Sequence, residues 1–213
     1  MCSVEKIFIS DNDIKLEAEL YLSSKLEVPI ATLVCHPHPQ YGGNMYNNVV
    51  SCIFNTFIQK SVSCLRFNFR GVGCSTGYHT NGHGELRDVK ACIDFLVNEH
   101  NFEKVIIYGY SYGAAIGCSA IDYCKQIIGY CAISFPWDFM GSEYKSLSQS
   151  EKHKIFIQGN RDNIAPYKNF KKHYDYYLEP KRCRIINGAD HFYLGFETKV
   201  ADESYEFFLL LSE

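Results

Sequence analysis

A chain of 213 residues in which 46% are apolar and 21% charged has the length and balance of one well-buried core, so residues 1–213 are read as one domain. Its formal net charge of -3 supplies no basic field, which takes nucleic acid off the list of expected partners. The opening MCSVEKIFIS carries Glu5 and Lys6 and no long apolar run, unlike a secretory leader, and no later stretch offers the ~18 apolar residues of a membrane span; a cytoplasmic location is expected.

The start of the chain reads as strands with one buried face, because Ile14, Leu16, Ala18, Leu20 and Leu22 alternate with Lys15, Glu17, Glu19 and Tyr21. Such a strand belongs at an edge or in an antiparallel ribbon. The strands that follow are continuous apolar runs: Ile30 to Cys35, Val62 to Phe69, Val105 to Tyr108, Ile127 to Ser134, Ile155 to Gln158 and Cys183 to Ile186. Continuous runs fit strands buried on both faces. Between them, helices are predicted near Asn44 to Lys60, Glu85 to His100, Ser111 to Lys125, Pro166 to Leu178 and Glu197 to Leu211; Val89, Cys92, Ile93 and Leu96 share one face of the second. Alternating strands and helices imply an α/β fold, a mostly parallel sheet with helices on both faces and antiparallel strands at its N-terminal edge.

Ten cysteines are scattered over these elements, with Cys35, Cys64, Cys131 and Cys183 in strands and Cys52, Cys92, Cys118 and Cys124 in helices. They show no paired metal spacing and read as reduced, mostly buried, small apolar residues.

In open sheets of this kind ligands sit beyond the carboxyl ends of the strands. Two stretches there carry glycines two residues either side of a serine. Gly109-Tyr110-Ser111-Tyr112-Gly113 directly follows a buried strand and opens into the small, apolar Ala114-Ala115-Ile116, the strand, sharp turn and helix of a nucleophile elbow. Gly73-Cys74-Ser75-Thr76-Gly77 leads instead into Tyr78-His79-Thr80-Asn81-Gly82, which is loop chemistry, so Ser75 reads as a loop residue at the rim. Ser111 is the candidate nucleophile.

Serine needs a neighbouring base, and a base needs an orienting acid. His191 follows the last strand in Gly188-Ala189-Asp190-His191-Phe192, whereas His173 sits beside Lys171 and Lys172 on a helix face expected to be solvated. Asp162, in Gly159-Asn160-Arg161-Asp162, is ranked first as the acid and Asp138 second, while Asp190 is expected to point elsewhere. For a developing oxyanion the expected donors are the N–H of Tyr112 and one from His36-Pro37-His38-Pro39. Prolines have no N–H, which leaves His36 and His38, and His38 is preferred. No Cys, Asp or Glu completes a metal site with these histidines, so no metal is expected.

These segments together, HPHPQYGGNMYNN at 36 to 48, RFNFRGVGCSTG at 66 to 77, GYSYG at 109 to 113, GNRD at 159 to 162 and GADHF at 188 to 192, resemble the α/β-hydrolase superfamily, and within it small serine hydrolases akin to dienelactone hydrolases and serine aminopeptidases. The resemblance spans nearly the whole chain. It implies hydrolysis of an ester, thioester or amide through an acyl-enzyme, with no cofactor; serine at the elbow departs from the cysteine of dienelactone hydrolases. Many relatives carry a cap after the strand that follows the elbow helix, but here only 136 to 152 separate two strands, room for one short helix. An open cleft is expected, walled by Tyr41, Tyr110, Tyr112, Trp137 and Phe192, for a small-molecule or acylated substrate. Esterase or thioesterase chemistry ranks ahead of a peptidase or amidase with the same three residues, and of a non-catalytic binding protein on the same fold. Oligomeric state is not legible.

Overall fold

The computed structural model describes residues 3–24 and 29–212; Met1 and Cys2, part of the stretch read against a leader, lie outside them. Eight strands form one sheet in the order β1-β2-β4-β3-β5-β6-β7-β8. The ribbon of β1 (Val4–Asp11) and β2 (Ile14–Tyr21) is antiparallel, and β2 is antiparallel to β4 (Ser63–Phe67). All other neighbours among β3 (Ile30–Cys35), β4, β5 (Lys104–Tyr110), β6 (Ile127–Ile133), β7 (His153–Gly159) and β8 (Lys181–Ile186) are parallel.

In the central strands continuous apolar runs are needed because successive residues feed two cores; β8, expected from Cys183 to Ile186 to be buried on both faces, is instead a half-exposed strand at the sheet edge. In β3, Leu33 and Cys35 join one core and Val34 the other; in β5, Val105 and Ile107 are divided in the same way from Ile106 and Tyr108. One core is closed by α1 (Asn48–Gln59) and α6 (Glu197–Ser212), the other by α2 (His83–Asp94), α3 (Tyr112–Cys118), α4 (Trp137–Leu147) and α5 (Tyr167–Tyr174). Helix α1 shows why: Val49, Val50, Ile53, Phe54 and Phe57 fall on one stripe and are buried, each contributing about 1.5–3 kcal/mol of apolar burial.

Several predicted boundaries shift for local reasons. The first helix starts at Asn48 and not Asn44, because the Asn47 side chain accepts from the Val49 N–H at 3.0 Å while Asn44 closes its own turn on the Tyr46 N–H at 2.8 Å. Helix α3 stops at Cys118 and not Lys125, and Cys124 lies in the turns beyond it; the chain must return so that Gln126 can accept from the Val105 N–H and Ile127 can pair with Val105. The short helix expected between β6 and β7 is α4, broken at Gly141. Among the described residues no cap interrupts the sheet.

Chain order and sheet order diverge at β3, which lies between β4 and β5. The connections leaving β3 and β5 therefore run to opposite faces of the sheet, the point at which ligands bind in open α/β sheets. Among the described residues no helix is long and apolar enough to cross a membrane, and every cysteine is a free thiol.

Candidate active site

Ser111 stands between β5 and α3 with φ 55° and ψ -119°, a backbone conformation that a side-chain-bearing residue adopts only under constraint. The constraint comes from both sides. Its N–H donates to the Ile133 carbonyl at 2.8 Å, and its carbonyl accepts from Ala114 and Ala115. A Cβ on Gly109 would run into the Gly113 carbonyl and Ala114, and one on Gly113 into the Cys35 and His36 carbonyls. Both glycines are thus required by close backbone approach.

The loops after β7 and β8 bring Asp162 and His191 to this turn. His191 Nδ1 lies 2.8 Å from Asp162 Oδ2, and His191 Nε2 lies 2.9 Å from Ser111 Oγ. A carboxylate can only accept, so Nδ1 carries the proton and Nε2 is left free to accept from the serine hydroxyl. Asp162 also accepts on Oδ1 from the Ile164 and Ala165 N–H groups, and on Oδ2 from Ser134 Oγ at 2.7 Å and Gln158 Nε2 at 3.1 Å. Burial pushes its carboxyl pKa up, but the hydrogen bond and charge of His191, with the bonds from Ser134 and Ala165, outweigh it and hold the pKa below the usual carboxylate value. Asp190 turns back on its own loop, accepting from the Phe192 and Tyr193 N–H groups.

Asp138 is elsewhere. It accepts from Asn169 at 2.9 Å and faces His173 Nε2 at 3.2 Å. His173 is in turn buried, stacked on Trp137 with ring centroids 5.0 Å apart. This corrects the expectation of a solvated histidine: the lysines around it are solvated, but the α5 stripe carrying Phe170 and His173 faces the core.

The loop after β3 is held by His36, which is fully buried. Its Nε2 accepts from the Phe69 N–H at 3.0 Å, so Nδ1 carries the proton and donates to the Pro37 carbonyl at 2.6 Å. That bond fixes the Pro37–His38 peptide plane. Carbonyl and N–H point in opposite directions across a trans peptide, so holding the Pro37 oxygen also sets the direction of the His38 N–H. The N–H groups of His38 and of Tyr112, the first residue of α3, have no acceptor among the described residues. The His38 ring lies against Tyr41, His79 and Tyr112, with centroids 4.8, 5.1 and 4.6 Å away.

Of the aromatics expected to wall a cleft, Tyr41 and Phe192 are 87% and 54% exposed. Three are not walls. Trp137 is buried between Phe135 and His173 and donates Nε1–H to Tyr177, because the turn after β6 folds inward and makes it the first core residue of α4. Tyr110 is buried under His191 and donates to its carbonyl at 2.6 Å, which makes it a prop for the histidine loop. Tyr112 is buried behind His38.

Ser75 is a latch: its hydroxyl donates to the Asn68 carbonyl at 2.7 Å and accepts from the Glu17 N–H at 2.9 Å. Arg70 of the same motif forms a buried pair with Asp88 of α2. Sequence reasoning missed Ser134, Gln158, Tyr193 and the His36 side chain as parts of the site; each lies in an apolar or loop stretch whose pattern carries no signal of its contact. Among the described residues no group of three or more His, Cys, Asp or Glu is arranged to hold a metal ion.

The family profile described as alpha/beta hydrolase fold matches residues 33–128, from β3 through the elbow into β6. An uncharacterized protein of Rickettsia prowazekii (strain Madrid E) is 32% identical over 195 residues, spanning 88% of this chain and 82% of its own length. Among solved structures, an alpha-beta serine hydrolase homologue from Coxiella burnetii is 28% identical with a TM-score of 0.84 and 95% of each chain covered. A serine hydrolase without a lid from Xanthomonas campestris shares the fold, with a TM-score of 0.82 at 20% identity over 94% of this chain and 91% of its own. With the sheet order, the elbow and these relatives together, the chain belongs to the alpha/beta hydrolase family.

Proposed function

We propose that the protein is a serine hydrolase that cleaves a carboxylic ester or thioester through an acyl-enzyme, with Ser111 as nucleophile, His191 as base and Asp162 as the acid that orients it. The observation that carries this reading is the continuous line of two short hydrogen bonds from Asp162 through His191 to Ser111. As Ser111 Oγ attacks the acyl carbon, its proton passes to His191 Nε2 and the imidazolium faces the Asp162 carboxylate. The carbonyl oxygen becomes an oxyanion between the N–H groups of Tyr112 and His38, which water alone would otherwise satisfy. His191 then gives its proton to the leaving group, and a water molecule, deprotonated in the same way, releases the acid and restores Ser111.

An open site lacking a cap, edged by the exposed rings of Tyr41 and Phe192, favours a small acylated molecule with an apolar or aromatic portion. No step requires a cofactor. The test is labelling with a fluorophosphonate probe, with the adduct located by mass spectrometry. Wild type and Ser75→Ala are expected to label at Ser111 and Ser111→Ala not at all. A folded wild-type protein that takes up no probe would overturn the reading.

A further inference from the structure

Seven non-glycine residues have positive φ among the described residues: Asn12, Ser61, Asn81, Asn101, Ser111, Ser134 and Tyr193. The first four are outside the buried set; the last three are buried, with Ser134 and Tyr193 fully so, and these three meet at one place. For a residue as bulky as tyrosine this conformation is a genuine outlier, and strain of this kind persists only where surrounding contacts enforce it.

What Ser134 and Tyr193 share is a hydrogen-bond chain that ends on the acid. Ser134 Oγ lies 2.7 Å from Asp162 Oδ2 and 2.7 Å from the Tyr193 hydroxyl, which in turn lies 3.1 Å from the Gly159 nitrogen. The proton directions are forced. The carboxylate only accepts, so Ser134 donates its one proton there; its oxygen can then only accept, so Tyr193 donates to Ser134; and the Tyr193 oxygen accepts from the Gly159 N–H. The Ile157 carbonyl, 3.4 Å from the Tyr193 hydroxyl, is the weaker competitor for that proton. Every dipole in the chain points at Asp162 Oδ2, the oxygen that His191 uses.

We propose that Ser134 and Tyr193 are positioning residues of the hydrolytic site, a two-hydroxyl relay that draws charge from Asp162 Oδ2 and thereby sets how basic His191 is. The inference rests on the triad reading above. Remaining contacts already fix the carboxylate in place: Oδ1 has two backbone donors and Oδ2 has Gln158. The relay therefore adds little orientation and mainly adjusts charge. The other titratable groups here are Tyr110 from β5, which faces Tyr193 and Asp162, and Asp190 from the loop after β8, which faces Tyr110 and accepts from the Tyr193 N–H. Chains of hydrogen bonds in a buried setting polarise one another, so Tyr193 acts on the acid through Ser134 and not directly.

Removing the relay leaves more negative charge on Oδ2, which stabilises the His191 imidazolium, and a base that holds its proton works only at higher pH. Ser134→Ala is expected to move the acid limb of the kcat/KM profile upward by roughly half to one pH unit, and Tyr193→Phe to move it the same way by less. In the Ser134→Ala background, Tyr193→Phe should add nothing, because the connection is already cut. The His191 side-chain titration, followed by NMR in the same four proteins, should show the same pattern, and it reads the inference whether or not a good substrate is in hand. Probe labelling of wild-type Ser111 tests the triad separately. If the His191 titration and the limb stay fixed in Ser134→Ala while activity falls equally at every pH, or if the two substitutions shift the titration independently, the relay is refuted even where labelling succeeds.

Discussion

Mild acid should release the loop after β3, and His36→Gln should abolish that sensitivity. Burial pushes the His36 imidazole pKa down from its ordinary 6.5 to about 4, against a smaller upward push from the Pro37 carbonyl and with a further downward one from His38. Between those two values the unfolded chain binds a proton at this position that the folded protein refuses, so stability falls as the pH drops through 6.5 and this loss is complete near 4. Going from pH 7 to 4.5 the single group removes roughly 2–3 kcal/mol. Once protonated, Nε2 becomes a donor facing the Phe69 N–H, which stands 3.0 Å away. Glutamine does not titrate and keeps an acceptor for that N–H; it gives up packing on the Phe69 ring and the ring N–H donated to the Pro37 carbonyl, losses that do not change with pH. Urea unfolding of both proteins, followed by Trp137 fluorescence at pH 7, 6, 5 and 4.5, should give stabilities that converge by that amount as the pH falls. His173 and the carboxylates, which do not act on His36, contribute equally to both and cancel in the difference. Parallel curves would refute the assignment of His36 as a neutral, buried clip.

Two further outcomes follow from the site geometry. Asp162→Asn should lower kcat for ester hydrolysis by roughly three to four orders of magnitude, since an amide facing Nδ1 favours the wrong tautomer, while Asp138→Asn should leave kcat unchanged and only weaken the packing of α4 on α5; equal losses from both would contradict the separation seen here. Gly113→Ala should destabilise the fold by about 2 kcal/mol or more in urea unfolding, because its methyl meets the Cys35 and His36 carbonyls and rigid backbone cannot give way as a side chain does; wild-type stability would show that the elbow has room to spare.

The sequence carried most of the scaffold because its signals are local. A strand buried on both faces is apolar at most positions, which makes β3 to β7 visible as runs despite buried polar residues such as Arg66 and Lys154, whereas the alternation of β2 marks a half-exposed strand only over Ile14 to Glu17, since Ala18 to Tyr21 are buried and Glu19 pairs with Arg66. The elbow was legible for the same reason: only a strand ending in a tight turn against another backbone requires both Gly109 and Gly113, and that requirement is written within five residues. His191 and Asp162 could be nominated from their places at strand ends.

Contacts across the sheet were decided only by the tertiary structure. Whether Asp162 or Asp138 faces the histidine depends on which way the loops after β6 and β7 turn, and nothing in either loop encodes its partner. Trp137 and Tyr110 looked like cleft walls because an aromatic residue after a strand suits a pocket rim and a core equally well; the inward turn after β6 and the hydroxyl donated to the His191 carbonyl settled both. Ser134 and Tyr193 are 59 residues apart in the chain, and His36 and Phe69 are 33 apart. A hydrogen bond between such residues leaves no periodicity or spacing in the sequence, since it arises only when sheet order has brought separate strand ends together.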